Sequence, residues 1–280
     1  IVAILIISVV YGVIAFHNLG NKYAPQTEMV ITDTPVTVDF GKETEVSDLA
    51  FYLGARQLHD ERNLNFGFFD ENKASVHNET YSDGSVFVWN YKTIPTVKAR
   101  YVVISTNHRA SETDPSELLY LREVAFMDAH GDIIPAAVVS HNEDKLCDEQ
   151  DLFSEKDYMA GTYFDEIYHP RTAYEFLNGM SVYEWTHPPL GKVLMSIGVS
   201  IFGMVPFGWR CVGTAFGVLM VAVMYLLAKR FFKHTWLSVA LTLLFTFDFM
   251  HFTQTRLATI DTYVTFFIML MYYYMYKYYK

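Results

Sequence analysis

Residues 208–228 read GWRCVGTAFGVLMVAVMYLLA, a run in which Arg210 is the only charge. A bilayer core takes about 20 consecutive apolar residues in helical form, so this stretch is long enough to span one. Three further stretches read the same way: residues 1–20, 235–252 and 260–276. The 235–252 stretch contains Asp248, and the 260–276 stretch is crowded with Tyr and Phe. The chain opens on Ile1, inside an apolar run. It shows neither a basic leader nor a clear small-x-small cleavage site, so a retained span is expected there and not a cleaved signal peptide. The fold class that follows is a membrane α-helical protein with a second, soluble part inserted after the first span.

Charge divides the chain in the same way. Residues 28–166 hold 27 of the 31 acids and 11 of the 21 bases, a net of −16, which leaves +6 for the remainder. An acidic soluble domain is joined to a basic membrane part. Nucleic acid is excluded as a partner, because it needs a basic patch. Lys229, Arg230 and Lys233 separate the second and third spans, and Lys277 and Lys280 follow the fourth. Placing these bases in the cytoplasm puts residues 20–207 on the extracytoplasmic side of a bacterial cell membrane, with four spans alternating consistently.

Residues 28–140 read as a β-domain. β-rich runs occur at 36–40, 49–53, 65–69, 86–89, 101–105 and 119–127, separated by turn signals at 39–42, 70–72, 82–84 and 130–132. Short strands at this spacing predict an all-β sandwich. VDFG at 38–41, KARYVVI at 98–104 and LREVAF at 121–126 resemble the discoidin, or coagulation factor 5/8 type C, domains. That resemblance implies a jelly roll and a possible glycan ligand. Trp89, Tyr91 and His108 are the residues suited to a sugar, although core and solvated-loop roles are the favoured reading. The acidic segment 141–160 reads as a linker. Cys147 and Cys211 sit in different environments, so no disulfide framework is expected.

Residues 161–207 form the segment ahead of the three clustered spans. Apolar spacing predicts a helix from about Tyr163 to Leu177, stopped at Asn178-Gly179, and a second from Leu190 to about Phe202, broken at Gly203. Two adjacent carboxylates, Asp165 and Glu166, precede His-Pro-Pro-Leu-Gly-Lys at 187–192. Such charges gathered at a membrane edge suggest chemistry on a lipid-linked anionic substrate. His169, His187 and His251 are scattered and neither cysteine has a ligand partner at suitable spacing, so no metal site is expected. No Gly-rich nucleotide loop is present.

FDEIYHPRTAYEFLNG, THPPLGK, FGWR and TRLATIDTYVTFF, in this order, resemble the bacterial protein O-mannosyltransferases, which are GT-C glycosyltransferases of family 39. The resemblance covers residues 1–19 and 161–280. Family members have many more spans, so the chain resembles their N-terminal part, and the inserted discoidin-like domain departs from the best-known eukaryotic members. The resemblance implies transfer of mannose from polyprenyl-phosphate mannose to Ser or Thr of a protein acceptor. It also implies inversion at the anomeric carbon and no obligatory cofactor. Asp165 matches the family's aspartate and is the expected base for the acceptor hydroxyl. Glu166 is expected to bind the acceptor or orient the site, since adjacent carboxylates on a helix point apart. The leaving lipid phosphate needs cations. Arg210 is the first candidate, Lys192 the second and Arg256 the third, with interfacial snorkelling the competing role. His187 is a hydrogen-bond donor or a helix cap, and Asp261 a partner for Arg256. The rival readings are a GT-C transferase acting on a lipid or cell-wall acceptor, and a membrane-anchored glycan-binding protein without catalysis.

Overall fold

A computed structural model describes residues 2–32, 34–107, 118–140 and 145–279. His108, the first four residues of the expected linker and Lys280 lie outside the described residues. The chain divides into two compact units, Ile1–Lys22 with Thr162–Lys280, and Tyr23–Gly161.

The second unit is a seven-stranded antiparallel sheet: β1 (Met29–Ile31), β2 (Val36–Leu53), β3 (Leu64–Phe69), β4 (Ser75–Tyr81), β5 (Trp89–Ser105), β6 (Leu119–Met127) and β7 (Ala137–Val138). The strand order is β1-β6-β2-β5-β3-β4, with β7 also paired to β2. Inward residues of β2, β3, β5 and β6, among them Phe51, Phe66, Val102 and Phe126, make one apolar core. This is the β-sandwich that the turn spacing predicted.

The structure corrects three local readings. The runs at 36–40 and 49–53 are one strand, and the turn expected at 39–42 is a bulge within it, where the pairing with β5 shifts between Asp39 and Thr44. Gly41 there takes φ +76° and donates its N–H to Asp39 Oδ1 at 2.7 Å. A bulge absorbs the polar Gly-containing insertion without ending the ladder. The run at 86–89 contributes only a bridge from Val86 to Leu53, and the strand begins at Trp89. β4 went unread because SVHNETY is largely polar and solvated, and its two large apolar residues, Val76 and Tyr81, are five apart and so on opposite faces, which leaves no periodic signal.

The acidic segment is also more than a linker. Leu146 is fully buried in the sandwich core, Val124 N donates to Leu146 O, and Gln150 Nε2 donates to Val124 O. A single 3-10 turn follows at Gln150–Leu152, and Trp89 Nε1 donates to Leu152 O. Trp89 is therefore buried structure, whereas Tyr91 is 47% exposed.

The helical unit contains α1 (Val2–Phe16), α2 (His169–Leu177), α3 (Pro189–Phe202), α4 (Pro206–Phe231), α5 (Thr235–Thr246), α6 (Phe249–Gln254) and α7 (Asp261–Tyr279). Of these, α4, at 26 residues, is long and apolar enough to cross a bilayer; α1, α3 and α5 are shorter apolar helices. α7 has 19 residues, but its end, MYYYMYKYY, is rich in tyrosine. The stretch 235–252 is split. Asp248 accepts from Met250 N at 3.0 Å and His251 N at 3.1 Å, and a carboxylate satisfying those donors starts a new helix.

The helices meet through small residues and hydroxyls. A Cβ on Gly198 of α3 would collide with the Gly208 carbonyl oxygen of α4. Tyr11 of α1 hydrogen-bonds Thr255 Oγ1 at 3.0 Å, and Thr214 Oγ1 of α4 donates to Thr255 O at 3.1 Å. Ile7, Tyr11 and Ala15 form the buried stripe of α1, while Val2, Leu5, Val9 and Val13 point outward. Exposed apolar faces of this kind suit lipid and are costly in water.

Glu123 of β6 is fully buried. Burial pushes its carboxyl up to about 8, against the N–H bonds it accepts from Glu149 and Val124. A raised carboxyl pKa means that the folded state holds the proton more tightly than the unfolded chain. Its contribution is present below the unfolded value of about 4.3 and is lost as pH rises toward 8. Thermal unfolding followed by near-ultraviolet circular dichroism is expected to show stability falling between pH 5 and 8, by about 4 kcal/mol. Glu123→Gln is expected to flatten that slope, whatever its effect on absolute stability.

Candidate active site

The two adjacent carboxylates lie on a 3-10 turn, Phe164–Ile167, ahead of α2. The expected single helix is interrupted at Tyr168, and α2 starts at His169 with Pro170 in its first turn. The 3-10 turn sends the two acids in different directions. Glu166 is 1% exposed and Asp165 half-buried.

Glu166 is fully engaged. Its Oε1 accepts from Arg210 Nε at 2.7 Å and from Ala258 N at 2.8 Å. Its Oε2 accepts from Arg210 Nη2 at 2.6 Å and from Tyr163 N at 2.9 Å. Arg210 Nη1 donates to Leu19 O at 3.1 Å. Both side chains have no exposed surface. This bidentate pair therefore joins the turn at 163–167, the start of α4, the chain after α1 and the segment before α7.

That arrangement gives the first of the phosphate candidates a buried partner. Arg210 was expected to meet the lipid phosphate at the mouth of its span. Its guanidinium is instead buried against a carboxylate and a carbonyl, where its charge is already compensated. Asp165 is the opposite case. Among the described residues its carboxylate makes no hydrogen bond and no ion pair, and it lies near enough to His169 to act on that imidazole electrostatically.

A second cluster surrounds Glu184, a residue sequence reading missed. Lys192 Nζ forms a close ion pair with Glu184 Oε2 and donates to Glu184 O at 2.9 Å and His187 O at 3.3 Å. Glu184 Oε1 also takes Thr186 N at 2.6 Å and His187 Nδ1 at 3.1 Å. Burial alone would raise the Glu184 carboxyl, but the bonds from Lys192, Thr186 and His187 outweigh it and hold it well below the usual range. Lys192, the second phosphate candidate, is 1% exposed, while the His187 side chain is 47% exposed. His169 is buried, and its ring centroid lies 5.1 Å from that of His187. These two histidines, scattered in sequence, are neighbours in space. Burial first, then the charges of His187 and Lys192, lower the His169 pKa.

The loop between α2 and α3 is held by Glu175 and Arg171, also unread in the sequence. Arg171 Nε donates to Glu175 Oε1 at 3.1 Å, Tyr183 N donates to Glu175 Oε2 at 2.8 Å, and the guanidinium lies 3.7 Å from the Tyr183 ring centre. The signal for all three acids was available. Glu166, Glu175 and Glu184 recur every nine residues in a segment with few charges, each within reach of one Arg or Lys. Buried acids are almost always paired.

The remaining candidates, Arg256 and Asp261, flank the segment whose Ala258 donates to Glu166. Arg256 is half-buried, donates to the carbonyls of His17 and Asn18 at 2.7 Å each, and stacks over Phe252. Asp261 is exposed at the start of α7 and lines a cavity of about 510 Å³ with Asp248, His251, Gln254 and Phe245.

The geometry defines a helical protein of membrane type, with a carboxylate free beside a locked carboxylate–arginine pair. Residues 186–280 match the family model described as Dolichyl-phosphate-mannose-protein mannosyltransferase. Three of the motifs quoted from the sequence, THPPLGK, FGWR and TRLATIDTYVTFF, lie within the matched residues. The polyprenol-phosphate-mannose–protein mannosyltransferase of Mycobacterium tuberculosis is 35% identical over 116 residues, 39% of this chain and 22% of the relative. The protein of the same name from Corynebacterium glutamicum is 32% identical over 82 residues, 29% of this chain and 16% of the relative. The chain spans about a fifth of the length of the relatives it matches first. Solved structures that overlap the chain include the lectin domain of lectinolysin complexed with Lewis B antigen, with TM-score 0.28, 18% identity and coverage of 36% of this chain and 70% of that one. Another is a Streptococcus pneumoniae fucose binding module, with TM-score 0.28, 17% identity and coverage of 35% and 67%.

Removing one partner of a buried pair strands the other charge, at a cost of about 3–5 kcal/mol. Glu166→Ala and Arg210→Ala are each expected to lose that much in thermal unfolding of the detergent-solubilised protein. The double variant is expected to lose much less than the sum, which a double-mutant cycle measures.

Proposed function

We propose that this protein transfers mannose from a polyprenyl-phosphate-linked donor to Ser or Thr hydroxyls of proteins, with Asp165 as the general base. The observation that carries this reading is the contrast within one dipeptide. Glu166 is spent on Arg210 and backbone N–H groups, whereas Asp165 is half-exposed and without a partner among the described residues. A base must reach the proton that it takes, and only the second of these carboxylates can. The names of the relatives supply the donor and the acceptor class.

In the proposed step, the acceptor oxygen bonds to the anomeric carbon as the bond from that carbon to the phosphate oxygen breaks. Asp165 takes the hydroxyl proton, and the lipid phosphate leaves with the electron pair. Inversion follows from a single displacement. Charge on the leaving phosphate calls for a cation. Arg256 is half-exposed, whereas Lys192 must first leave Glu184, so Arg256 is the stronger of the two. Glu166 has the orienting role, through Tyr163 and Ala258. Asp261 is placed at the lined cavity, and His187 at the turn that starts α3. The protein is proposed as multi-pass, with residues 20–207 extracytoplasmic. A glycan or acceptor role for the β-unit belongs to the same proposal.

The test is transfer of radiolabelled mannose from polyprenyl-phosphate mannose to a Ser/Thr-rich peptide, in membranes expressing the protein. Asp165→Asn is expected to reduce peptide label by about 100-fold or more, the contribution of a positioned base, with unchanged expression and melting temperature. Glu166→Gln is expected to lower both label and melting temperature. Full label with Asp165→Asn overturns the assignment of the base, and blank peptide with labelled lipid or polymer overturns the acceptor.

A further inference from the structure

His169, Glu184 and His187 each offer one ligand atom, and the three atoms lie within 4.8 Å of one another. From this convergence we infer a structural divalent-cation site of the zinc class, with two imidazoles and one carboxylate as ligands. The residues come from two places, the first position of α2 and the turn before α3. A metal there would staple that turn to the helix that follows Asp165.

Independent support comes from His169. Its ring is 1% exposed, its Nδ1 has no hydrogen-bond partner, and that atom lies 3.9 Å from Glu184 Oε2. A buried ring nitrogen without a partner is costly to leave unmet. It is aimed at a carboxylate, which is the geometry a shared cation completes. Imidazole and carboxylate together suit zinc, and to a lesser degree nickel or copper. Ligand atoms around a tetrahedral zinc stand roughly 3.3 Å apart, so the three side chains need to close by about an ångström and a half or less. His187 is half-exposed and on a turn, so it has the room to do this. Its exposed side leaves the fourth position to water.

Lys192 is the competing cation, because it now holds Glu184 Oε2. Its ammonium also donates to the carbonyls of Glu184 and His187. It therefore keeps two neutral partners when the carboxylate turns an oxygen toward the metal. No ligand here is the proposed base, and the proposed transfer needs no metal. The inference stands or falls apart from the function.

The full chain, purified in detergent, would be stripped with chelator, reloaded with zinc and desalted, and its metal content measured by mass spectrometry. The wild type is expected to retain about one zinc more than His187→Ala, whose side chain is 47% exposed and whose folding is checked by circular dichroism. His169→Gln, checked for folding by circular dichroism, is expected to lose the same zinc. Cobalt in place of zinc is expected to give visible d–d bands in the wild type that vanish in His187→Ala. Equal zinc in the wild type and His187→Ala, or cobalt spectra that do not change with that substitution, overturns the site.

Discussion

The helical unit depends on one ion pair. Glu166 and Arg210 are both without exposed surface, and five N–H···O contacts they make reach Tyr163, Ala258 and Leu19 besides each other. Each of those positions lies between helices, where the backbone has no helical partner of its own. Burying two charges is expensive, and a bidentate geometry with the remaining lone pairs satisfied is what makes it tolerable. In return the pair fixes a register. Four segments distant in sequence can meet only when all these contacts close together. A hydrophobic pair of the same volume would fill the space without specifying which carbonyl and which N–H come to it.

The same pair sets up the chemistry by subtraction. Neighbouring residues on a 3-10 turn point about a third of a turn apart, so an inward Glu166 forces Asp165 away from the packed interior. Had both acids stayed on one face, they would have shared a proton or a cation, and neither would be a ready base. The pairing pattern repeats along the segment. Arg171 takes Glu175 and Lys192 takes Glu184. Asp165 is the acid left over, and its position next to His169 puts it at the edge of the Glu184 cluster.

The membrane class, the β-sandwich and the Asp165–Glu166 dipeptide were legible in the sequence because each rests on a local pattern: apolar length, turn spacing, adjacent acids. The departures share a physical origin. Arg210 read as a phosphate ligand because a leaving phosphate needs a cation, with snorkelling the competing role. Its three-dimensional meeting with Glu166, 44 residues away, is a partnership that sequence distance hides. His169 and His187 read as scattered because the 11-residue chain between α2 and α3 doubles back, and the loop is closed by Glu175 and Arg171, whose partnership no periodicity announces. Asp248 read as a flaw in a span, but as a helix cap it is the reason the span divides. β4 carried no pattern at all, since its pairing with β3 supplies the order that its polar side chains do not.

Charge placement along α4 ties these observations to a membrane. Arg210 near its start and Arg230 near its end are twenty residues apart, about 30 Å at the helical rise, which is the thickness of a bilayer core. At the first end Arg210, Arg171 and Lys192 each sit on a carboxylate, while Arg256 meets the carbonyls of His17 and Asn18. At the other end Lys229 donates to the Thr235 hydroxyl and Arg230 to that of Tyr273, and Lys233 and Lys277 add to the same region of sequence. Hydroxyls orient a cation without cancelling it, so the positive excess of the helical unit collects at this end. That asymmetry is what the positive-inside rule reads. It supports the proposed placement of the basic end in the cytoplasm and of Asp165, the proposed base, on the opposite side.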